Sequence, residues 1–312
     1  MITTGLNGRI MDHTVTDLPL FAFLPAQKTL YLYSVFLQDE LTIIKDRLRM
    51  TVGIKEEHNS YTGFEYQPDA RLNWTLATNQ NLWAAFSRAV RTPARIDRDF
   101  TLLLAPNLAL ISGSDSFVSE NVLAYELGWR WQPVNRLSTS VAGFYNVYHN
   151  IRSAEPGPPP FNIPITFSNG VEGDTYGIEF SATYQPFDCW NLRGGYTFLE
   201  KNLSVKSGSA DLNKASAESD DPMHQLLLQS NLEIGKQVEF GTVIRYVARL
   251  PKPVVPAYTG LDLRLAWKLN KIFEIAVDGQ NLLYKNHTEF IPSSPAPRSI
   301  ERCIYAKIIC RL

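Results

Sequence analysis

The sequence has little of three things that usually define a protein's chemistry. Cysteine is scarce: Cys189, Cys303 and Cys310 are the full set and none stands in a CxxC pair, which argues against a disulfide framework or a zinc module. If residues 303 to 310 form a strand, the odd spacing puts Cys303 and Cys310 on opposite faces, roughly 23 Å apart at ~3.3 Å per residue, too far to bond to each other. Excess charge is missing too, since 30 Lys and Arg offset 31 Asp and Glu for a net of -1. Without a basic surplus the general attraction to phosphate backbones is absent, and no nucleic-acid partner is expected. No uncharged apolar stretch approaches the ~18 residues of a membrane-spanning helix. The first residues, MITTGLNGRIMDHTVTDLPLFAFLPAQ, lack a basic start followed by an apolar run, so no signal peptide is read in the chain as written.

Catalytic signatures are equally sparse. The five histidines, His13, His58, His149, His224 and His287, are scattered. No HExxH, GxSxG or phosphate-cradling glycine loop occurs. The expectation is a protein that is not an enzyme, with no cofactor and no metal site.

What is present is aromatic and alternating. Aromatics make up 12% of the chain, with 18 Gly and 19 Pro, a composition of strands joined by turns. Two-residue alternation recurs. Leu48, Met50, Val52 and Ile54 share a face opposite Arg47, Arg49 and Lys55; Leu123, Tyr125, Leu127 and Trp129 oppose Glu126 and Arg130; Ile178, Phe180, Ala182 and Tyr184 oppose Glu179 and Gln185. Three later segments follow suit: Val238 to Tyr246, Leu261 to Trp267 and Phe273 to Val277. Every charge in these six segments lies on the polar face, where roughly two dozen unassigned positions would have left about five on the apolar one.

Soluble sandwiches alternate as well, so the connections have to discriminate. Short ones are read at 44–47, 77–81, 132–136, 186–190, 235–237 and 269–271, and long ones at 57–65, 92–119, 150–171, 203–220, 249–258 and 284–299. Tight turns at one rim and long loops at the other are the pattern of an outer-membrane β-barrel, with the turns periplasmic and the loops extracellular. All six tryptophans, Trp74, Trp83, Trp129, Trp131, Trp190 and Trp267, lie near a short connection, as expected of an interfacial girdle. About thirteen strands are counted, the first near residue 37. Thirteen is odd, and an odd antiparallel set cannot close without one parallel pair.

The order of motifs resembles the TonB-dependent outer-membrane receptors, in the C-terminal part of their barrel. AAFSRAVRTPARIDRD (84–99) is similar to a recurrent FSRAxRxP segment; ENVLAYELGWRWQP, GFYNVYHNIRSAEPG, NGVEGDTYGIEFSATYQP and the terminal YAKIICRL follow in the family's order. The resemblance implies an all-β, antiparallel transmembrane barrel of about 22 strands, of which residues 1–312 would form a single partial barrel domain. The plug domain, the TonB box and about nine early strands have no counterpart in these residues. The family's last strand usually ends in an aromatic residue, where this chain has Leu312.

Two groups of candidate site residues follow. Glu179, Arg193, Arg245, Asp262, Arg264 and Asp278 lie on the polar face and would line the lumen or dock a plug. Arg91, Arg95 and Arg98 cluster in RTPARIDRDF, where they could attract an anionic iron chelate or pair with Asp97 and Asp99. The function the resemblance implies is energised uptake of a ferric siderophore or similar nutrient in the Gram-negative outer membrane, with lipid, lipopolysaccharide and the TonB system as partners. A porin-like passive barrel and a nonfunctional remnant are the alternatives.

Overall fold

The computed structural model describes residues 1–16, 18–105, 108–216, 221–291 and 299–310; Leu312, on which the expectation about the terminal residue turned, lies outside them. In chain order the elements are β1 (Ile2–Thr14), β2 (Phe21–Phe23), β3 (Gln27–Ile44), β4 (Leu48–Asn59), β5 (Gly63–Ala77), β6 (Gln80–Arg91), the one-turn helix α1 (Arg95–Arg98), β7 (Phe100–Ala105) and β8 (Leu108–Ser112). Then come β9 (Glu120–Val134), β10 (Leu137–Glu155), β11 (Ile165–Phe187), β12 (Trp190–Val205), β13 (His224–Ile234), β14 (Val238–Val247), β15 (Tyr258–Lys268), β16 (Phe273–Gln280), β17 (Asn286–His287), β18 (Ile300–Glu301) and β19 (Cys303–Cys310).

Setting aside the short loop strands β2, β7, β8, β17 and β18, fourteen of these form one antiparallel wall. Its spatial order is β1, β3, β4, β5, β6, β9, β10, β11, β12, β13, β14, β15, β16 and β19. Among the described residues no pairing joins β1 to β19, so the wall is an open sheet with two free edges. β10 and β11, at 19 and 23 residues, far exceed the roughly 9–11 residues that cross a bilayer, and they rise beyond it at the loop end.

Two expectations are corrected. The first wall strand is β1, not the segment near residue 37: Leu30 is paired with Met11 and Leu37 with Thr4. The wall therefore holds an even number of strands. β1 escaped notice because Thr4 and Gly8 dilute the apolar side of its alternation, leaving Ile2, Leu6 and Ile10, all exposed. Residues 57–65 are no long loop either, because β4 and β5 meet in a three-residue turn. Asn59 makes that turn: its Oδ1 accepts from the N–H groups of Tyr61 and Thr62, both at 2.9 Å, and Gly63 takes φ +75°, which a side chain would resist.

The wall is built inside out relative to a soluble domain. Along β16, Phe273, Ile275 and Val277 are exposed while Glu274, Ala276 and Asp278 are buried. On β15, Leu265 and Trp267 are exposed and Ala266 between them is fully buried. Apolar outside and polar inside is the arrangement that lipid on one side and water or protein on the other would select. Several charges depart from it, among them Asp39 on β3 opposite Val52, Glu56 on β4 opposite Val35, Arg88 on β6 opposite Leu123 and Glu200 on β12 opposite Tyr176.

The long connections form structure of their own. β2 pairs with β7, β7 with β8, and the tip of β8 runs parallel to the start of β11 at Ile111–Ile165. Three loops are thereby joined into a small sheet above the wall, with Phe21, Phe23 and Phe100 packed edge to face at its centre.

Candidate functional site

Two clusters of charge are candidates, one on the polar face and one in the loops. On the polar face the register sets the contacts, because residues directly opposite each other on adjacent strands share a face. Arg264 is opposite Asp278. Its guanidinium donates to Asp278 Oδ1 at 3.1 Å and to Glu274 Oε1 at 2.9 Å, and Lys307 of β19 holds Asp278 Oδ2 at 3.0 Å. Glu274 is only 3% exposed, so three strands are fastened by an ion network out of full contact with water. Arg245 lies over Gly260, where an added Cβ would stand 3.3 Å from the guanidinium, and 3.9 Å from Asp262. Glu179 and Arg193 are exposed and stand apart from these pairs: Glu179 is opposite Thr197, and Arg193 opposite Thr183 and Gln229. Glu179 and Arg245 border a shared recess of about 560 Å³ floored by the small residues Ser140, Ala142, Ser181 and Gly195. Lys307 was missed in the sequence, because the YAKIICRL segment carries no periodicity stronger than its apolar run.

The loop cluster centres on α1. Asp97, fully buried, receives Arg91 at 3.1 Å, Arg152 at 3.4 Å and the N–H of Ala94 at 2.9 Å. Arg91 also grips Glu120 with two bonds of 2.7 and 2.6 Å. Arg95 is buried, bonded to Asp99 at 3.1 Å and to the carbonyls of Pro25 and Ala26, while Arg98 donates twice to the Phe117 carbonyl. Asp99 gathers Lys28 and Tyr61, each at 2.7 Å, and the cations of Lys28 and Arg98 lie 4.5 and 5.5 Å from the centre of the Tyr61 ring. The three candidate arginines are therefore brought together around α1 with their donors engaged by the protein itself. Glu120, Arg152, Lys28 and Tyr61 come from strands and turns far away in sequence, with no local motif to mark them.

Electrostatics of this loop cluster favour its present protonation state. Burial alone would raise the Asp99 pKa, but hydrogen bonds from Lys28, Tyr61 and Arg95, with the Lys28 charge, outweigh it and hold the carboxyl below its ordinary range. Tyr61 moves the opposite way: burial first, then the hydrogen bond and charge of Asp99, keep its phenol protonated well above the usual value.

The tryptophans divide. Trp74 and Trp267, 45% and 51% exposed, and the stacked pair Trp129 and Trp131, with centroids 5.4 Å apart, lie on the apolar face near short turns. Trp190 joins them, its indole N–H donating to Ser230 at 2.9 Å. Trp83 does not. Opposite Asn73 rather than Trp74, it points to the polar face and lies against Gly128, where an added Cβ would come within 2.3 Å of the ring. Position near a turn fixes height along the wall; the parity of the strand fixes the face, and here it decides against a girdle role.

A wall of this kind defines a membrane barrel of the receptor class, and the comparisons agree. The family model described as TonB dependent receptor-like, beta-barrel matches residues 7–282, and the chain belongs to that family of receptors. It is similar to the probable TonB-dependent siderophore receptor PiuA of Acinetobacter baumannii, 23% identical over 182 residues, 54% of this chain and 24% of the relative. Among solved structures, the ferric enterobactin receptor PfeA of Pseudomonas aeruginosa superimposes with TM-score 0.73 at 14% identity, over 98% of this chain and 50% of that one. The FrpB iron transporter of Neisseria meningitidis gives TM-score 0.75 at 12% identity, over 98% and 52%. The chain thus spans about half the length of these solved receptors, and at such identities the likeness is one of fold.

Proposed function

We propose that this chain is the C-terminal part of the barrel of an outer-membrane receptor that takes up a ferric siderophore with energy supplied through TonB. The observation that carries the reading is the pairing of an apolar outer face with an ion-paired polar inner face in a wall of this family; the relative named as a siderophore receptor supports the ligand class. In this reading Glu179, Arg193, Arg245, Asp262, Arg264 and Asp278 face the lumen and present charges to a plug. Trp74, Trp129, Trp131, Trp190 and Trp267 sit at the lipid interface, with lipopolysaccharide the neighbour at the loop end. Of the three loop arginines, Arg91 has the most open side chain at 46%; its bonds to Glu120 and Asp97 use three of its five N–H donors, and the other two are assigned contact with an anionic ligand, while Arg95 and Arg98 hold the loop in place.

The test is growth of an iron-starved strain lacking its siderophore receptors. A receptor containing this wall, plug included, should restore growth on a ferric siderophore only when TonB is intact, and residues 1–312 alone should not. Rescue that ignores TonB would favour a passive pore, and absence of rescue by any siderophore would overturn the ligand class.

A further inference from the structure

We propose that the bulged tip of the β10–β11 hairpin is a coupling element, which makes the two long connections fastened to it, residues 92–119 and 206–216, loosen and close together. The hairpin register slips twice, between Tyr148 and Ile151 and again between Ile151 and Ser153. The slips are opposite in sense. The first sets His149 and Asn150 against Glu172 alone, and the second sets Arg152 alone against Asn169 and Gly170. Bulges leave backbone groups outside the ladder, and such groups need other partners when water is excluded. Here the two connections supply them, and Asn150 takes φ +60° at the turn of the chain, which asparagine tolerates better than most side chains.

The first connection is held by Asn169. Its side-chain amide meets Val118 as a neighbouring strand would, accepting from the Val118 N–H at 2.7 Å and donating to the Val118 carbonyl at 3.1 Å. It donates to the Asn150 carbonyl as well, at 2.6 Å, and the Arg152 N–H, freed by the bulge, donates to Glu120 at 2.9 Å. The second connection is held one residue further along. The Gly170 carbonyl accepts from the Lys206 N–H at 2.8 Å, and the Gly170 N–H donates to Ser153 Oγ at 2.9 Å. Ser153 donates in turn to Glu155, whose carboxylate also takes the Ser209 hydroxyl and the Ala210 N–H, at 2.5 and 2.7 Å. A Cβ at position 170 would lie within 2.2 to 2.8 Å of oxygens of Ser209, Glu155 and Ser153, so the glycine is what admits the second connection to the tip.

Asn150 closes the circuit. Its Nδ2 donates to the Ser119 carbonyl at 3.5 Å and its Oδ1 accepts from Lys206 Nζ at 2.6 Å, so one side chain is bonded to both connections. Consecutive residues, Asn169 and Gly170, hold one connection each, and lifting either connection shifts the backbone that anchors the other. Among the described residues no hydrogen bond or ion pair joins the two connections directly, which leaves the tip to carry the coupling. A coupling free energy is reciprocal, so a body that displaces either connection loosens both, and this end of the wall opens as a unit. The inference stands on the hairpin tip and does not rest on the uptake reading.

The test is amide hydrogen exchange of the full chain reconstituted in lipid. Glu155→Ala, which removes bonds to the second connection, should speed exchange about fivefold or more at residues 206–215 and also at 113–119. Asn169→Ala, which removes bonds to the first connection, should speed both segments too. In the double variant the two effects should fall short of additivity, as they do for residues that share one network. Amides of β14 and β15 report the fold in each variant, and Ser209→Ala, which removes one bond, should give a smaller rise in the same two segments if Glu155→Ala does not refold. A rise confined to the connection that each substitution touches, with the other segment exchanging as in wild type, would overturn the proposal.

Discussion

The β15–β16–β19 wall and the α1 loop cluster both bury charge, but they arrive there by different routes. In the wall, Arg264, Asp278, Glu274 and Lys307 meet because adjacent strands run in register, so each contact is between near neighbours in a repeating lattice. Around α1, Asp99 collects Lys28 and Tyr61 across 71 and 38 residues of chain, and no repeat relates them. The first kind of site tolerates a change at one position because its neighbours are held by backbone pairing. The second depends on the charges themselves to keep three loops together.

The largest difference should appear between the two faces of the wall. Leu263→Arg, on the apolar face, is expected to cost about 2–4 kcal/mol if it lies near the bilayer midplane, whereas Gln229→Arg on the polar face should cost about 1 kcal/mol or less. Equal costs in a denaturant titration in lipid vesicles would break the comparison. Next in size is the ion network. Arg264→Ala removes the cation that Glu274 and Asp278 share and leaves Asp278 to Lys307; with the arginine itself 30% exposed, solvent screening reduces the loss to on the order of 2 kcal/mol. Lys307→Ala should cost clearly less, because Arg264 still holds Asp278, and the same titration measures both.

The loop cluster should answer to pH rather than to lipid. Because the folded-state pKa of Asp99 is depressed, its contribution is present above the ordinary carboxylate range near ~3.9 and is lost as pH falls through the lower folded value. Tyr61 has the reverse sign: its contribution is full below the ordinary phenol value near ~10 and is lost as pH rises through the higher folded one. Limited proteolysis of residues 92–119 against pH should therefore show protection persisting below pH 4 in wild type and reduced protection at neutral pH in Asp99→Asn. Tyr61→Phe should remove the alkaline step. A profile for Asp99→Asn that matches wild type would show that the cluster does not hold the loops. A local effect is expected at Asn59→Ala, which removes the four side-chain bonds of a buried asparagine within its own turn for about 1–2 kcal/mol, read as faster amide exchange at Tyr61 and Thr62.

The same contrast explains what was legible in the sequence. Strand faces, short turns and the membership of Arg264 and Asp278 in one polar face follow from period-two alternation, which is a local property. β1 was hidden because glycine and threonine occupy positions where leucine would have shown the pattern, and Trp83 was misplaced because nearness to a turn says nothing about parity. The α1 cluster could be anticipated only in its nearest partners, Asp97 and Asp99. Lys28, Tyr61, Glu120 and Arg152 join it through strand pairing that no local spacing encodes.

The central claim is that one face of this wall meets lipid and the other does not, and spin-label accessibility along β15 tests it most directly. With Cys189, Cys303 and Cys310 replaced by serine, single cysteines at positions 261 to 267 would carry a nitroxide in a lipid-reconstituted sample. Odd positions should collide preferentially with oxygen dissolved in the bilayer and even positions with a water-soluble nickel chelate, alternating residue by residue. An alternation of opposite phase, or none at all, would contradict the assignment of Leu263, Leu265 and Trp267 to the lipid side.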